Sequence, residues 1–199
     1  MDRKTHYPSF DIMREKDHWD DHTQRIVTSR LEASSEYRFL KKREAAILQP
    51  VCSLLTGESR KELIRFVLFH IDRTLASSIG EGQREPHVPK AGELVRKGLK
   101  ALDQTAEKTY GRSFTELDRQ QQKDLLSEVS RGQAPQDTGW EKVPQVPFFK
   151  KMLNLSVEAC YSHPTVWSEI GYGGPAYPRG YVRTQLGQLD PWEAQPENE

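Results

Sequence analysis

Residues 59–76 read Ser59-Arg60-Lys61-Glu62-Leu63-Ile64-Arg65-Phe66-Val67-Leu68-Phe69-His70-Ile71-Asp72-Arg73-Thr74-Leu75-Ala76. Leu63, Phe66, Val67, His70, Ile71 and Leu75 recur at steps of three and four, the spacing of one face of a 3.6-residue helix. Ser59 with Glu62 three positions on is a capping-box pattern. Gly57 just upstream ends whatever helix precedes it. The stretch therefore predicts a central helix packed on other helices. Its longest apolar run, Ile64 to Ile71, is interrupted by Arg65 and His70. It falls far short of the roughly 20 apolar residues that a membrane span needs.

The same periodicity extends in both directions. Upstream, Phe39, Ile47, Leu48, Val51 and Leu55 mark a helical run. Pro50 lies inside it, and a proline removes one backbone hydrogen bond and crowds the preceding turn. A kink or two helices is expected there. Before a break at Ser34-Ser35, Ile26, Val27 and Leu31 share a face in a helix starting near Asp17, with Trp19 at its head. Downstream of a loop over 77–89, a helix is expected from Lys90 to Tyr110, stopped by Gly111. Asp118 and Gln121 cap another, which carries Leu125, Leu126 and Val129 up to Gly132. Trp140 is the large apolar group of a second loop over 132–144. Pro147 opens a long helix through Tyr161, and Pro164 opens a short one with Val166, Trp167 and Ile170. No stretch alternates like a strand. The expected fold is all-α, a single bundle of about six helices over residues 18–170. An N-terminal arm (1–17) and an extended Gly/Pro/Tyr-rich C-terminal arm (171–199) flank it.

Composition supports this and excludes several functions. At 199 residues, 35% hydrophobic and 29% charged, the chain can bury a core without disulfides or metals. Lys plus Arg and Asp plus Glu both number 29. No basic excess exists to drive nucleic-acid binding or to pull the chain to an anionic membrane. The two cysteines, Cys52 and Cys160, fall in apolar helical patterns, where a small buried thiol is the ordinary reading. The opening residues, MDRKTHYPSFDIMREKDHWDD, hold no apolar core of a secretory or twin-arginine signal. The expected compartment stays open between the cytoplasm and, with a signal-bearing partner, the periplasm.

The residues offer little chemistry. His18 and His22 stand four apart, a spacing two metal ligands on one helix face could use. No HExxH pattern or third ligand accompanies them, so a solvated pair is expected. His70 reads as a hydrogen-bonded core histidine. Cys52 has no catalytic signature, no GxSxG elbow occurs, and no dinucleotide fingerprint exists. No catalytic, metal or cofactor residue is assigned, and the chain is expected to bind no FAD or NAD itself.

The C-terminal segment is different. Gly171-Tyr172-Gly173-Gly174-Pro175-Ala176-Tyr177-Pro178-Arg179-Gly180-Tyr181-Val182-Arg183 packs four glycines, two prolines and three tyrosines into thirteen residues. It cannot be a regular helix. Gly171 to Gly174 lacks the strand, helix and Lys-Ser/Thr pair of a phosphate loop. A strap that binds a partner and a tail that covers the chain's own core both fit, and the two are compatible. Tyr and Trp are the residues interfaces use as anchors. The expected partner-binding set is Trp167, Tyr172, Pro175, Tyr177, Arg179, Tyr181 and Trp192.

Several pieces in order resemble the gluconate 2-dehydrogenase subunit 3 family over roughly Phe39 to Trp192. They are VRKGLKALDQTAEKTYGRSFTEL (95–117), FFKKML (148–153), YSHPTVWSEIGYGGPAYPRGYVR (161–183) and DPWEA (190–194). The resemblance implies a small, cofactor-free partner of a large FAD-dependent flavoprotein of the glucose-methanol-choline type. That subunit oxidises a sugar, sugar acid or related alcohol. In some complexes a cytochrome c subunit takes the electrons. The small subunit is implied to aid maturation, stability or export. Well-known members carry a twin-arginine signal, and this stretch of sequence shows none.

Overall fold

A computed structural model describes residues 5–32, 36–77 and 85–197. The expected break at Ser34-Ser35 falls outside these residues, as do positions 78–84 of the expected 77–89 loop. Among the described residues there is no strand. Seven α-helices run in order: α1 (Asp21–Ser29), α2 (Lys42–Thr56), α3 (Lys61–Ala76), α4 (Ala91–Tyr110), α5 (Arg119–Arg131), α6 (Gln145–Tyr161) and α7 (Pro164–Ile170). The all-α expectation holds, and the described residues alone form seven α-helices, more than the about six expected. The short segments at Asp21 and Pro164 both reach full α-helical form. The chain forms two compact units. One joins residues 1–33 to 161–199, and the other is 34–160.

In the 34–160 unit, α2 runs unbroken across Pro50. Neither a second helix nor a break occurs there. Ile47, Leu48, Val51 and Cys52 are buried on both sides of the proline, and their packing holds the helix together where the backbone bond is lost. α3 is central as expected, but its buried face is wider than the apolar stripe. Ile64, Leu68, Phe69 and Asp72 are buried as well, while Phe66 and His70 are half-buried and lie ring against ring.

Asp72 is buried to 1% exposure within this apolar surround. One carboxylate oxygen accepts the backbone N–H of Arg38 at 2.8 Å. The other accepts those of Phe39 at 2.9 Å and Leu40 at 2.8 Å. The non-helical residues leading into α2 are thus fastened to the C-terminal half of α3.

The start of α3 corrects a sequence expectation. Ser59 does not form a capping box, and the N-cap is Arg60 without a side-chain cap. Glu58 does the capping instead. Its buried carboxylate accepts the backbone N–H groups of Ser59 and Arg60, both at 2.8 Å, and the Arg60 guanidinium at 2.6 Å. Burial pushes its pKa up. The hydrogen bonds from the Arg60 side chain and the Arg60 and Ser59 amides outweigh this and hold it at about 2. The folded value is depressed below the ordinary 4.5, so the stabilisation is complete above pH 4.5 and fades as pH falls towards 2. It amounts to at most about 3 kcal/mol at neutral pH. Glu58→Gln is expected to lower the urea midpoint at pH 7 and to flatten the loss of stability between pH 4.5 and 2. An acid profile identical to that of the parent chain refutes the assignment.

Other helix ends match the sequence. Asp118 and Gln121 cap α5 reciprocally, and Gly111 and Gly132 close α4 and α5 in the left-handed conformation. Trp140 is buried. Its indole N–H donates to Thr105 Oγ1 at 2.9 Å, and its ring lies 5.5 Å from that of Phe148. Phe148 fits because residue 98 is glycine. A Cβ at Gly98 would lie 2.1 Å from the Phe148 ring. Gly98→Ala is therefore expected to cost about 1–3 kcal/mol through overpacking, despite alanine's better helix propensity. A thermal midpoint at or above that of the parent refutes this.

Cys52 and Cys160 are buried in this unit without a disulfide. Ser156 Oγ lies 3.4 Å from the Cys52 sulfur, and burial pushes the Cys52 thiol up to about 12. A thiol so reluctant to ionise is a packing group rather than a nucleophile.

Candidate functional site

The unit formed by the two chain ends is built around α7. Pro164 stands at its first turn, His163 caps it by accepting the Thr165 amide, and Gly171 closes it. Trp167 is buried with Ile12, Trp19 and Val27, and Phe10 and Met13 pack on this cluster. Hydrogen bonds fasten the N-terminal residues to α7. Thr5 Oγ1 donates to the Glu169 carbonyl at 2.6 Å, and the Ile12 amide donates to Ser168 Oγ at 3.1 Å. Arg30 donates to the Ser162 carbonyl at 2.8 Å and lies 5.2 Å over the Trp167 ring. Burial lowers its pKa below the ordinary arginine value.

Two glycines let the C-terminal segment leave α7 at close quarters. Gly171 (φ +71) and Gly174 (φ +75) take the left-handed conformation that suits glycine. A Cβ on Gly171 would lie 2.6 Å from the Tyr7 ring, and one on Gly174 would lie 2.8 Å from that of Trp19. Space and backbone angle both demand glycine at these positions.

Beyond Gly174 the segment is non-helical through residue 197 and ties itself together through two charged side chains. The Arg179 guanidinium is 5% exposed. It donates to the carbonyls of Gly173 at 2.6 Å and Pro175 at 3.0 Å, lies 4.6 Å over the Trp192 ring, and faces Glu15 at 3.9 Å. Burial lowers its pKa, and Glu15, Tyr172 and Asp190 oppose that shift. Asp190 Oδ1 accepts the amides of Val182 and Arg183, both at 2.8 Å. Arg183 also faces Glu193 at 3.5 Å.

The seven residues expected to bind a partner divide in space. Trp167 is interior, with its indole N–H on the Tyr161 carbonyl at 2.6 Å. Arg179 points inward, Trp192 is half-buried beneath it, and Pro175 supplies it with a carbonyl. Tyr172 lies edge-on to Trp167 at 5.3 Å with much of its ring open. Burial raises its phenol pKa. Tyr177 and Tyr181, at 69% and 67% exposure, project outward, and Val182 and Leu186 are exposed beside them in sequence. Exposed large apolar groups gathered on one tied segment are the usual mark of an interaction surface. Sequence reading missed Val182, Leu186 and the tying role of Asp190. The Asp-Pro pair at 190–191 was the one available signal of a turn there.

The two histidines four apart in sequence do not come together on one helix. His18 ends a 3-10 segment (Ile12–His18), whereas His22 belongs to α1, with Trp19 and Asp20 extended between them. The two therefore do not share one helix face, and His18 lies 3.8 Å from Glu15. Among the described residues no group of three or more His, Cys, Asp or Glu side chains is placed to hold a metal ion. No helix among them is long and apolar enough to cross a membrane.

Fold and surface define an all-helical chain whose most exposed aromatics lie on one non-helical segment. Comparison with protein families places it: the profile of gluconate 2-dehydrogenase subunit 3 matches residues 42–174, and the chain belongs to that family. The match includes Trp167 and Tyr172 and ends at Gly174. Pro175, Tyr177, Arg179, Tyr181 and Trp192 lie beyond it, so it is shorter than the resemblance to Trp192 read from the sequence. No curated protein matches the chain. No solved structure matches it either.

Proposed function

We propose that this chain is the non-catalytic small subunit of a gluconate-dehydrogenase-type complex, and that it binds and stabilises the large subunit through its C-terminal segment. The large subunit is an FAD-dependent flavoprotein of the glucose-methanol-choline type that oxidises a sugar, sugar acid or related alcohol. In complexes that include a cytochrome c subunit, that subunit receives the electrons. This chain holds its partner in a folded, flavin-loaded form during maturation.

The observation carrying this reading is the pair of outward tyrosines, Tyr177 and Tyr181, on a segment whose backbone Arg179 and Asp190 fix from within. A segment ordered before binding loses less entropy when it docks, and tyrosine adds contact area with few rotors. Tyr177→Ala and Tyr181→Ala are each expected to cost about 2 kcal/mol, close to a thirty-fold rise in Kd for the large subunit. Circular dichroism of both variants should match that of the parent. The wider test expresses the large subunit with and without this chain. Poor solubility and low flavin content in its absence are expected. Normal yield and activity of the lone flavoprotein overturn the reading.

A further inference from the structure

A second surface lies in the 34–160 unit, away from the aromatic segment in sequence. Leu54 and Leu55 of α2, Leu126 of α5 and Phe149 of α6 line an open groove of about 380 Å³. Leu54, Leu55 and Phe149 remain half-exposed along it. Arg119 and Lys123 of α5 stand on its rim, one helical turn apart and both exposed. Among the described residues Arg119 reaches only the Ser53 hydroxyl, at 3.5 Å. Among the described residues no carboxylate pairs with either cation, and none lines the groove. Asp124 is next in sequence to Lys123, but it accepts from Gln120 and does not line the groove.

Two like charges at i and i+4 repel and weaken a helix slightly. Here they border apolar side chains that are themselves only half covered. An occupant bringing carboxylates to the rim and aliphatic or aromatic side chains to the floor removes both costs. Complementary charge at the edge of an apolar contact also speeds docking and fixes register.

We propose that this groove is a docking surface for an acidic segment of the large subunit that presents leucine- or phenylalanine-sized side chains between carboxylates. The proposal rests on the reading of this chain as a subunit, and it concerns a contact separate from Tyr177 and Tyr181. The segment lays its apolar side chains on Leu54, Leu55, Leu126 and Phe149, and its carboxylates meet Arg119 and Lys123.

The test measures binding of the purified large subunit to the full chain over a range of salt. The variants are Arg119→Glu/Lys123→Glu, the milder Arg119→Gln/Lys123→Gln, and Tyr177→Ala/Tyr181→Ala as a reference. The charge reversal is expected to raise Kd by about ten-fold or more at low salt, with a smaller effect at high salt. The Gln pair should fall between it and the parent. If both charge variants bind as the parent does while the tyrosine variant is weakened, the groove proposal is overturned and the subunit reading stands. If the parent itself does not bind the large subunit, both fall. If the charge variants lose binding to anionic phospholipid vesicles but not to the large subunit, the groove is a lipid site and the proposal is overturned.

Discussion

Asp72→Ala is expected to lower the stability of the 34–160 unit by about 4 kcal/mol, enough to leave much of the protein unfolded in mild denaturant. Three backbone amides, those of Arg38, Phe39 and Leu40, lose their acceptor together. The Leu40 bond is buried and those of Arg38 and Phe39 partly so; each neutral buried donor left without a partner costs about 1–3 kcal/mol, and water reaching the outer two recovers part of that. The offsetting gain is the relief from burying a carboxylate, which is small here because three donors already satisfy it. Asp72→Asn tests the account more finely. An amide keeps one accepting oxygen, which can serve Phe39 and Leu40, but turns an N–H₂ towards the Arg38 amide. It is expected to fall between the parent and alanine. Urea denaturation followed by helical circular dichroism measures all three proteins. Equal midpoints for alanine and the parent refute the role of Asp72.

Asp72 also shows what a sequence conceals. It follows Ile71 in the segment that predicts the central helix, and nothing around it marks it as buried. Its partners lie 32 to 34 residues earlier, and a local pattern cannot report a pairing at that separation. Local signals did speak clearly. Asp118 with Gln121, the glycines at 111 and 132, and Pro164 each mark a helix end through chemistry confined to one turn. The failures were local signals overruled by neighbours. The capping box expected at Ser59 lost to Glu58, which offers a carboxylate one residue earlier. Pro50 did not break α2 because the side chains around it are buried.

The binding segment was legible in composition but not in layout. Seven residues were singled out because aromatic, proline and arginine side chains crowd the C-terminus. Which of them face outward depends on the other end of the chain. Trp167 is buried against Ile12, Trp19 and Val27, and Arg179 faces Glu15. These contacts join residues 140 or more positions apart, and no periodicity encodes them. The exposed pair Tyr177 and Tyr181 emerges only once the inward residues are removed from the set.

Arg179→Ala is the decisive variant for that layout, with an expected cost of about 4 kcal/mol to the order of residues 173–192. The guanidinium makes two charge-assisted hydrogen bonds, to Gly173 and Pro175, each worth about 1.5–3 kcal/mol. Its stacking on Trp192 adds about 0.5–2 kcal/mol. Against these stands the burial of a charge whose Nε and Nη1 atoms find no hydrogen-bond partner among the described residues. Replacing a costly buried charge by an apolar group of similar reach can be neutral. Arg179→Met should therefore recover the packing on Trp192 but not the two carbonyl bonds, and should fall midway. The readouts separate local order from global folding. Limited proteolysis should cut the alanine variant after Arg183 faster than the parent, while the helical signal of the 34–160 unit stays unchanged. Affinity for the large subunit should fall by as much as in Tyr177→Ala, although both tyrosines remain. If Arg179→Ala weakens neither protease resistance nor partner affinity, the tyrosines are not held by this side chain, and the pre-ordered strap loses its physical basis.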